Sequence, residues 1–291
     1  MKVVITIPAF NEEPTIGPVL DEIHAAMRGK KYKYKVLVLN DGSTDRTVEI
    51  AKKHKAIVVS NKRNRGLAYT FAREMEECLK LKADVIVHTD ADGQYKAENI
   101  PKLIKKIEEG YDLVLGSRFM ANTYSGSFMK SMGNKAFARV FSKLMKTKIT
   151  DTTTGFRAFT ADVASIKLIN SFTYTQEQLI RADRRGFSIG EVPVTTRRTR
   201  PSRLFSNPFE YAIKAWVNIL RVYRDFAPLK FFGVIGSLFF GVGVVIGIWI
   251  IVNIIRTGLA GGIPRVIFSA LLILTGVQII LFGFLADMRK K

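Results

Sequence analysis

The sequence predicts an α/β protein: a mostly parallel sheet with helices on both faces, followed by an interfacial helix and a two-helix transmembrane hairpin. Three observations predict it. Short apolar strands alternate with helical segments through residues 1–207, acidic or amide residues stand at the ends of several strands, and two long uncharged runs close the chain. Continuous apolar strands, rather than alternating ones, belong to a sheet covered on both sides.

In order, VVITIPAF leads into a helix from about Thr15, KVLVLNDGS into one from Asp45, AIVVSN into one from Leu67, and DVIVHTDADG into one from Ala97; DLVLGSR follows. The segment 208–226 repeats Phe209, Ile213, Trp216, Leu220 and Tyr223 at helical spacing opposite Lys214, Arg221 and Arg224. That pattern, extended to the juxtamembrane stretch 208–230, suits either an interfacial helix or one packed on the soluble domain. Residues 231–255 and 266–286 carry no charge and are each long enough to cross a ~30 Å hydrocarbon core. Lys214, Arg221, Arg224 and Lys230 precede this hairpin and Arg289 to Lys291 follow it, against Arg256 and Arg265 between the spans. The bias of basic residues predicts that the large N-terminal domain, residues 1–207, and both termini face the cytoplasm of a multi-pass membrane protein.

A chain of 291 residues exceeds what one core comfortably organises, consistent with a domain plus an appendage. The net charge of +20 asks for an anionic partner, which lipid, phosphorylated substrate or nucleic acid would each satisfy. Nucleic acid is not expected, because no recognised binding motif accompanies the charge. The single cysteine, Cys78, gives no disulfide framework and is expected to face the core. Met1 runs straight into VVITIPAF without a basic n-region, so no secretory signal is expected.

Parallel sheets bind ligands at the carboxyl ends of their strands. There the sequence places Asn11 and Glu12 after the first strand, Asp41 after the second, and Asp90 and Asp92 after the fourth. One residue apart in a strand-end turn, Asp90 and Asp92 can reach one hard cation, with Gln94 offering a further oxygen. Mg²⁺ bound through so few carboxylates shares its shell with substrate phosphates, so the pair implies a diphosphate-bearing substrate. His24 and His54 read as packing residues; His88, two before Asp90, reads as a satisfied buried histidine.

PAFNEE at 8–13, NDGSTDRT at 40–47, DADGQ at 90–94, GSR at 116–118, DTTTGFR at 151–157 and EVPVTTR at 191–197 together resemble the family 2 glycosyltransferases. The resemblance covers about residues 3–204 and is nearest to dolichol-phosphate mannose synthases and polyprenyl-phosphate glucosyltransferases. It implies a GT-A fold, an inverting mechanism, Mg²⁺ or Mn²⁺ held by Asp90, Asp92 and Gln94, and a donor pocket lined by Pro8, Ala9, Asn11, Glu12, Asp41 and Asp90. It also implies that Arg118 and the segment Arg200, Ser202 and Arg203 hold acceptor phosphate or donor diphosphate, with Lys130 and Asn134 beside them. Anionic lipid headgroups are an alternative ligand for the arginine cluster, which also contains Arg197 and Arg198. Asp92, Arg118 and Asp151 are the expected catalytic residues; Asp151 would act as general base or orient Arg157.

The chain departs from the family in lacking a second glycine in NRGLAYTFARE and in carrying Arg200 where relatives often have glycine. The expected partners are therefore a nucleotide-sugar, GDP-mannose or UDP-glucose, a polyprenyl or dolichyl phosphate, and the membrane, with a homo-oligomer left open. The rival readings are transfer to a lipid or polysaccharide hydroxyl, and a catalytically silent membrane-interaction protein. The Q-x-x-R-W segment and additional spans usual in processive enzymes are not found.

Overall fold

The structure is a computed structural model that describes residues 1–120, 138, 141–142, 145, 147–168, 174–197, 217, 220–221, 223–258 and 262–288. The chain divides into two compact units, Met1–Tyr211 and Ala212–Lys291.

In the first unit, β1 (Lys2–Ala9), β2 (Lys33–Asn40), β3 (Ile57–Ser60), β4 (Val85–His88) and β5 (Leu113–Ser117) coincide with the five apolar runs. The connecting helices are α1 (Glu13–Met27), α2 (Thr47–Lys53), α3 (Leu67–Lys80) and α4 (Ile100–Glu108), the last preceded by a 3₁₀ turn at Ala97–Asn99. Pro14 lies in the first turn of α1, where its missing N–H costs nothing. Val3, Ile5 and Ile7 of β1 pack with Ile16, Leu20 and Ile23 of α1 and with Ile100, Leu103 and Ile104 of α4. The opposite face of the sheet is covered by α3. Both faces are thus dry, which is why these strands read as unbroken apolar runs.

The strand order is β3-β2-β1-β4-β6-β5-β7. Two strands have no counterpart among the five expected ones: β6 (Arg157–Thr160) lies antiparallel between β4 and β5, and β7 (Ile189–Pro193) runs parallel to β5 at the edge. The chain enters β6 at the ligand end, with Arg157 opposite His88, and runs back toward the start of β4. Its four residues, RAFT, include an arginine and form no apolar run, so hydropathy alone does not mark them. The one-turn helix α5 (Ala161–Ala164) follows, and α6 (Tyr174–Arg184) places Tyr174 against Phe71 of α3, ring centroids 4.6 Å apart. The strand order reverses between β1 and β4, and the crevice at their carboxyl ends is where such sheets take ligands.

The second unit is dominated by α7 (Pro228–Thr257) and α8 (Ile263–Met288), which enclose the expected spans and continue a little beyond them. Their seam is made mostly of small residues. Gly236, Gly243 and Ile250 of α7 and Ser269, Gly276 and Gly283 of α8 are buried at seven-residue intervals. A Cβ on Gly276 would stand 2.6 Å from the Phe240 nitrogen, so glycine permits the close approach, and the Ser269 hydroxyl donates to the Gly243 carbonyl at 2.8 Å. This is how helices associate where lipid removes any hydrophobic gain from burying large side chains. Val234, Leu238, Ile255, Ile263 and Phe282 point outward, so neither helix is a buried core element of this chain. Both are candidate membrane spans. Of the juxtamembrane segment, Val217, Leu220, Arg221 and 223–226 are helical, with Val217 and Leu220 exposed; the rest lies outside the described residues.

Candidate active site

The loops after β1, β2 and β3 are bonded to one another at the mouth of the crevice. Asn11 adopts a left-handed backbone (φ 53°); its N–H donates to the Ser43 hydroxyl at 2.9 Å, and its side-chain oxygen accepts from the Thr44 N–H at 2.9 Å. The Glu12 N–H donates to the Thr47 hydroxyl at 2.8 Å, and its carboxylate accepts from Thr15. Asp41 is buried and accepts three hydrogen bonds: from the Asn61 amide at 2.7 Å and from the N–H groups of Arg65 and Gly66, both at 2.9 Å. Gly42 (φ 78°) lies so close to the Arg63 backbone that a Cβ would stand 2.7 Å from its carbonyl carbon. Pro8 and Ala9 end β1 beside this knot. The sequence located Asp41 but not its partners Asn61, Arg65 and Gly66, which come from the loop after a different strand.

Asp90 and Asp92 follow β4 on the other side of the crevice. No hydrogen bond reaches the Asp90 carboxylate from the described residues, although the Gly155 backbone presses so close that a Cβ there would be 3.2 Å from Oδ1. Burial, together with the charge of Asp92, pushes the Asp90 pKa up to about 6, against the lowering pull of His88 and Arg118. Asp92 Oδ1 accepts from the Gln94 N–H at 2.9 Å, and the Gln94 carbonyl accepts from the Arg197 N–H at 2.9 Å. Among the described residues no group of three His, Cys, Asp or Glu gathers into a cage. A desolvated carboxylate without a donor, one residue from a second carboxylate, fits a hard divalent cation that completes its shell with oxygens from elsewhere.

Arg118, just past β5, faces Asp151. Its Nε and Nη2 donate to the two carboxylate oxygens at 2.7 and 2.9 Å, and Nη2 also donates to the Thr153 hydroxyl at 2.9 Å. Asp151 therefore orients Arg118, and the expectation that it orients Arg157 is corrected: Arg157 is wholly buried and donates instead to the Thr154 and Thr175 carbonyls and the Gln178 amide oxygen. Burial pulls the Arg157 pKa down to about 10. Glu191 of β7 fixes the base of this loop by accepting from the N–H groups of Thr150 and Asp151 at 2.9 and 3.0 Å; burial raises its pKa in spite of those donors. Tyr95 stacks on Phe156 with centroids 5.0 Å apart, and its desolvated hydroxyl is pushed up to about 12.

His88 is fully buried. Its Nδ1 lies 2.8 Å from the Gly155 carbonyl, and its Nε2 lies 3.3 Å from Glu74 Oε2 of α3. Burial opposes protonation most strongly of any one influence, but the Glu74 and Asp90 carboxylates and the Gly155 carbonyl together outweigh it and the His88 pKa is raised. His24 and His54 are engaged with Tyr34, Ile50 and each other, away from the crevice. Lys130, Asn134, Arg198, Arg200, Ser202 and Arg203 lie outside the described residues.

The family model described as Glycosyl transferase family 2 matches residues 4–165, a stretch that includes the crevice residues from Pro8 to Arg157. The dolichyl-phosphate hexose transferase of Haloferax volcanii is 34% identical over 220 residues, covering 75% of this chain and 92% of its own. The prophage bactoprenol glucosyl transferase homolog of Escherichia coli is 28% identical over 296 residues, 99% of this chain and 93% of its own, so that similarity extends through the apolar helices. Among solved structures, glucosyl-3-phosphoglycerate synthase from Mycobacterium tuberculosis, in complex with Mn²⁺, uridine diphosphate and glucosyl-3-phosphoglycerate, superposes with a TM-score of 0.61 at 22% identity, covering 76% of this chain and 78% of that one. At that identity the likeness is one of fold.

Proposed function

This chain belongs to glycosyl transferase family 2, and from that premise we propose that it moves a hexose from a nucleotide-sugar to a polyprenyl or dolichyl phosphate at a membrane surface, inverting the anomeric carbon. Mannose is the first choice of sugar and glucose the next. The observation that carries the reading is the placement of Arg118, held by both oxygens of Asp151, where its charge acts on the Asp90 carboxylate. A guanidinium whose Nε and Nη2 are fixed this way would set its positive charge beside the acidic pair, where a phosphate would be held by that charge and not by the paired fork, which Asp151 occupies.

The chemistry agrees with that assignment. A phosphomonoester has a second pKa of about 6 and is mostly dianionic near neutrality, so it needs positioning more than deprotonation. A hydroxyl acceptor would need a base, and the Asp151 carboxylate is already committed to Arg118. Pro8, Ala9, Asn11, Glu12 and Asp41 would line the donor pocket. Asp90, Asp92 and the Gln94 side chain would hold Mg²⁺ or Mn²⁺, which would supply positive charge to the departing nucleoside diphosphate. The H. volcanii and E. coli relatives carry names that describe sugar transfer to dolichyl phosphate and bactoprenol, which supports the acceptor class. The apolar hairpin supports delivery of a lipid-borne acceptor, and the basic residues flanking it support a cytoplasmic catalytic domain and termini.

The test is purified full-length protein with polyprenyl phosphate and a panel of radiolabelled GDP- and UDP-sugars, with and without EDTA. EDTA-sensitive label in the lipid phase from one donor is the expected result. Label passing only to a hydroxyl-bearing lipid, or not at all from any donor, would sink the proposal.

A further inference from the structure

We propose that His88 is a positioning residue that ties the acceptor-side loop 151–156 to helix α3 through the Gly155 carbonyl. The proposal rests on the reading of Arg118 and Asp151 given above, but its geometry is independent of the acceptor's identity.

A buried carbonyl only accepts, so the His88 nitrogen 2.8 Å from the Gly155 oxygen, Nδ1, carries hydrogen. The ring's other nitrogen faces Glu74 Oε2 at 3.3 Å, both side chains being wholly inaccessible, and Glu74 Oε1 accepts from the Thr6 hydroxyl of β1 at 2.8 Å. Phe71 of α3 and Tyr174 of α6 meet the imidazole edge-on, with centroids 5.0 and 6.4 Å away. The ring therefore has one orientation, set by β1 and α3. What it holds is a close approach in the loop: the Gly155 backbone abuts the Asp90 carboxylate, and two and four residues earlier Thr153 and Asp151 grip Arg118.

Glu191 secures the beginning of this loop and His88 its end, so the Arg118 clamp hangs between two fixed points. Asp90 itself takes no hydrogen bond from the described residues, so the wall formed by Gly155 bounds one side of its carboxylate. Loss of the Nδ1–H bond would release the loop from Asp90 and slacken Arg118 together. The buried polar chain Thr6, Glu74 and His88 reaches the acceptor-side loop through the Gly155 carbonyl, which gives ionisable groups in an otherwise apolar layer a role.

The discriminating pair is His88→Asn and His88→Gln in the full-length protein, because the Asn amide places an N–H near the position of Nδ1 whereas Gln places it near Nε2. Hydrogen exchange of amides 151–156 is followed by mass spectrometry, and acceptor KM and kcat are measured beside binding of nucleoside diphosphate. His88→Asn is expected to keep slow exchange and near-native acceptor dependence. His88→Gln is expected to speed exchange at 151–156 but not in β1 or β2, and to lower kcat/KM for the acceptor by up to ~10²-fold, the scale of an ångström-sized misplacement. Unchanged exchange in His88→Gln, or equal disturbance in both variants, would overturn the proposal. The same exchange pattern in a protein inactive on polyprenyl phosphate would uphold the tether and refute the acceptor assignment alone.

Discussion

The two sides of the crevice are built on different principles. On the β1–β2–β3 side the strands are parallel, and the polar side chains at their ends are satisfied by neighbouring loops: Asn11 by Thr44, Glu12 by Thr15, Asp41 by three donors. On the β4–β6–β5–β7 side an antiparallel strand intervenes, and Asp90, Arg118, Asp151, Glu191 and His88 crowd together as desolvated or paired ionisable groups. One side is a preformed frame whose hydrogen bonds are used internally. The other gathers desolvated charge, an arrangement that costs stability and is the kind found where ligands are bound and chemistry is done.

That contrast is broken most severely by Asp92→Asn. Partners of metal ligands alone are worth ~10–100-fold, so removing a ligand charge is expected to lower transfer by ~10²-fold or more while leaving the fold intact. Near-native turnover would mean that the acidic pair is not where the donor is activated. Arg118→Ala comes next. A charge-assisted hydrogen bond contributes about 1.5–3 kcal/mol, so roughly a 10- to 100-fold loss is expected, concentrated in the acceptor concentration dependence. Asp151→Asn keeps one acceptor oxygen for Arg118 and should cost less. Initial rates against polyprenyl phosphate at pH 6 to 8 separate these two, and a larger defect in Asp151→Asn with a displaced pH profile would restore a protein base.

The frame side should respond in stability rather than chemistry. Asp41→Ala removes the acceptor of the Asn61 amide and of the Arg65 and Gly66 N–H groups, of which Gly66 keeps the Asn64 side-chain oxygen at 3.1 Å and Asn61 a long contact to Thr70. An unsatisfied buried donor costs about 1–3 kcal/mol, and part of this is relieved by water entering the loop. A net loss of about 2–3 kcal/mol, or roughly 5–10 °C in Tm, is expected together with weaker nucleotide binding. A thermal scan with unchanged Tm and lost nucleotide binding would instead make Asp41 a ligand contact and nothing more.

How much of this was legible follows from what each feature needs. Strands β1 to β5 needed only local apolar runs, and those are written in the sequence. Strand β6 needed a pairing partner for a four-residue segment containing Arg157, and its place emerges only when the chain returns from 118–156 into the gap beside β4. Asp90 and Asp92 stood out as candidates because their spacing is local. The partner of Asp151 could not, because Arg118 lies 33 positions away and is brought there by the β5–β6 pairing. Glu191 and Glu74 were unassigned for the same reason: one anchors a loop 41 positions distant and the other reaches a histidine across the sheet layer. In the hairpin, hydropathy marked the spans but not the seven-residue spacing of the small residues that join them.

The smallest effect expected is also the most direct measure of the charge stored on the β4 side. Asp90 has a folded pKa of about 6, above the ~3.9 of an unfolded aspartate. Between those values the folded state binds the proton and the unfolded state does not. Stability rises with pH only where the unfolded state binds more protons, so here it must fall as pH rises from about 4 to about 6, and the penalty is complete above that. With no cation bound, ionised Asp90 should destabilise the domain by on the order of 2 kcal/mol near neutral pH. Asp90→Asn should therefore raise the Tm of EDTA-treated protein at pH 7.5, with little effect at pH 4, while abolishing transfer. Excess Mn²⁺ should erase the wild-type disadvantage, because a cation favours the carboxylate. Thermal unfolding at several pH values, with EDTA and with Mn²⁺, measures all of this. A destabilised Asp90→Asn protein under EDTA at pH 7.5 would show that the carboxylate is held by the fold and not strained for a ligand.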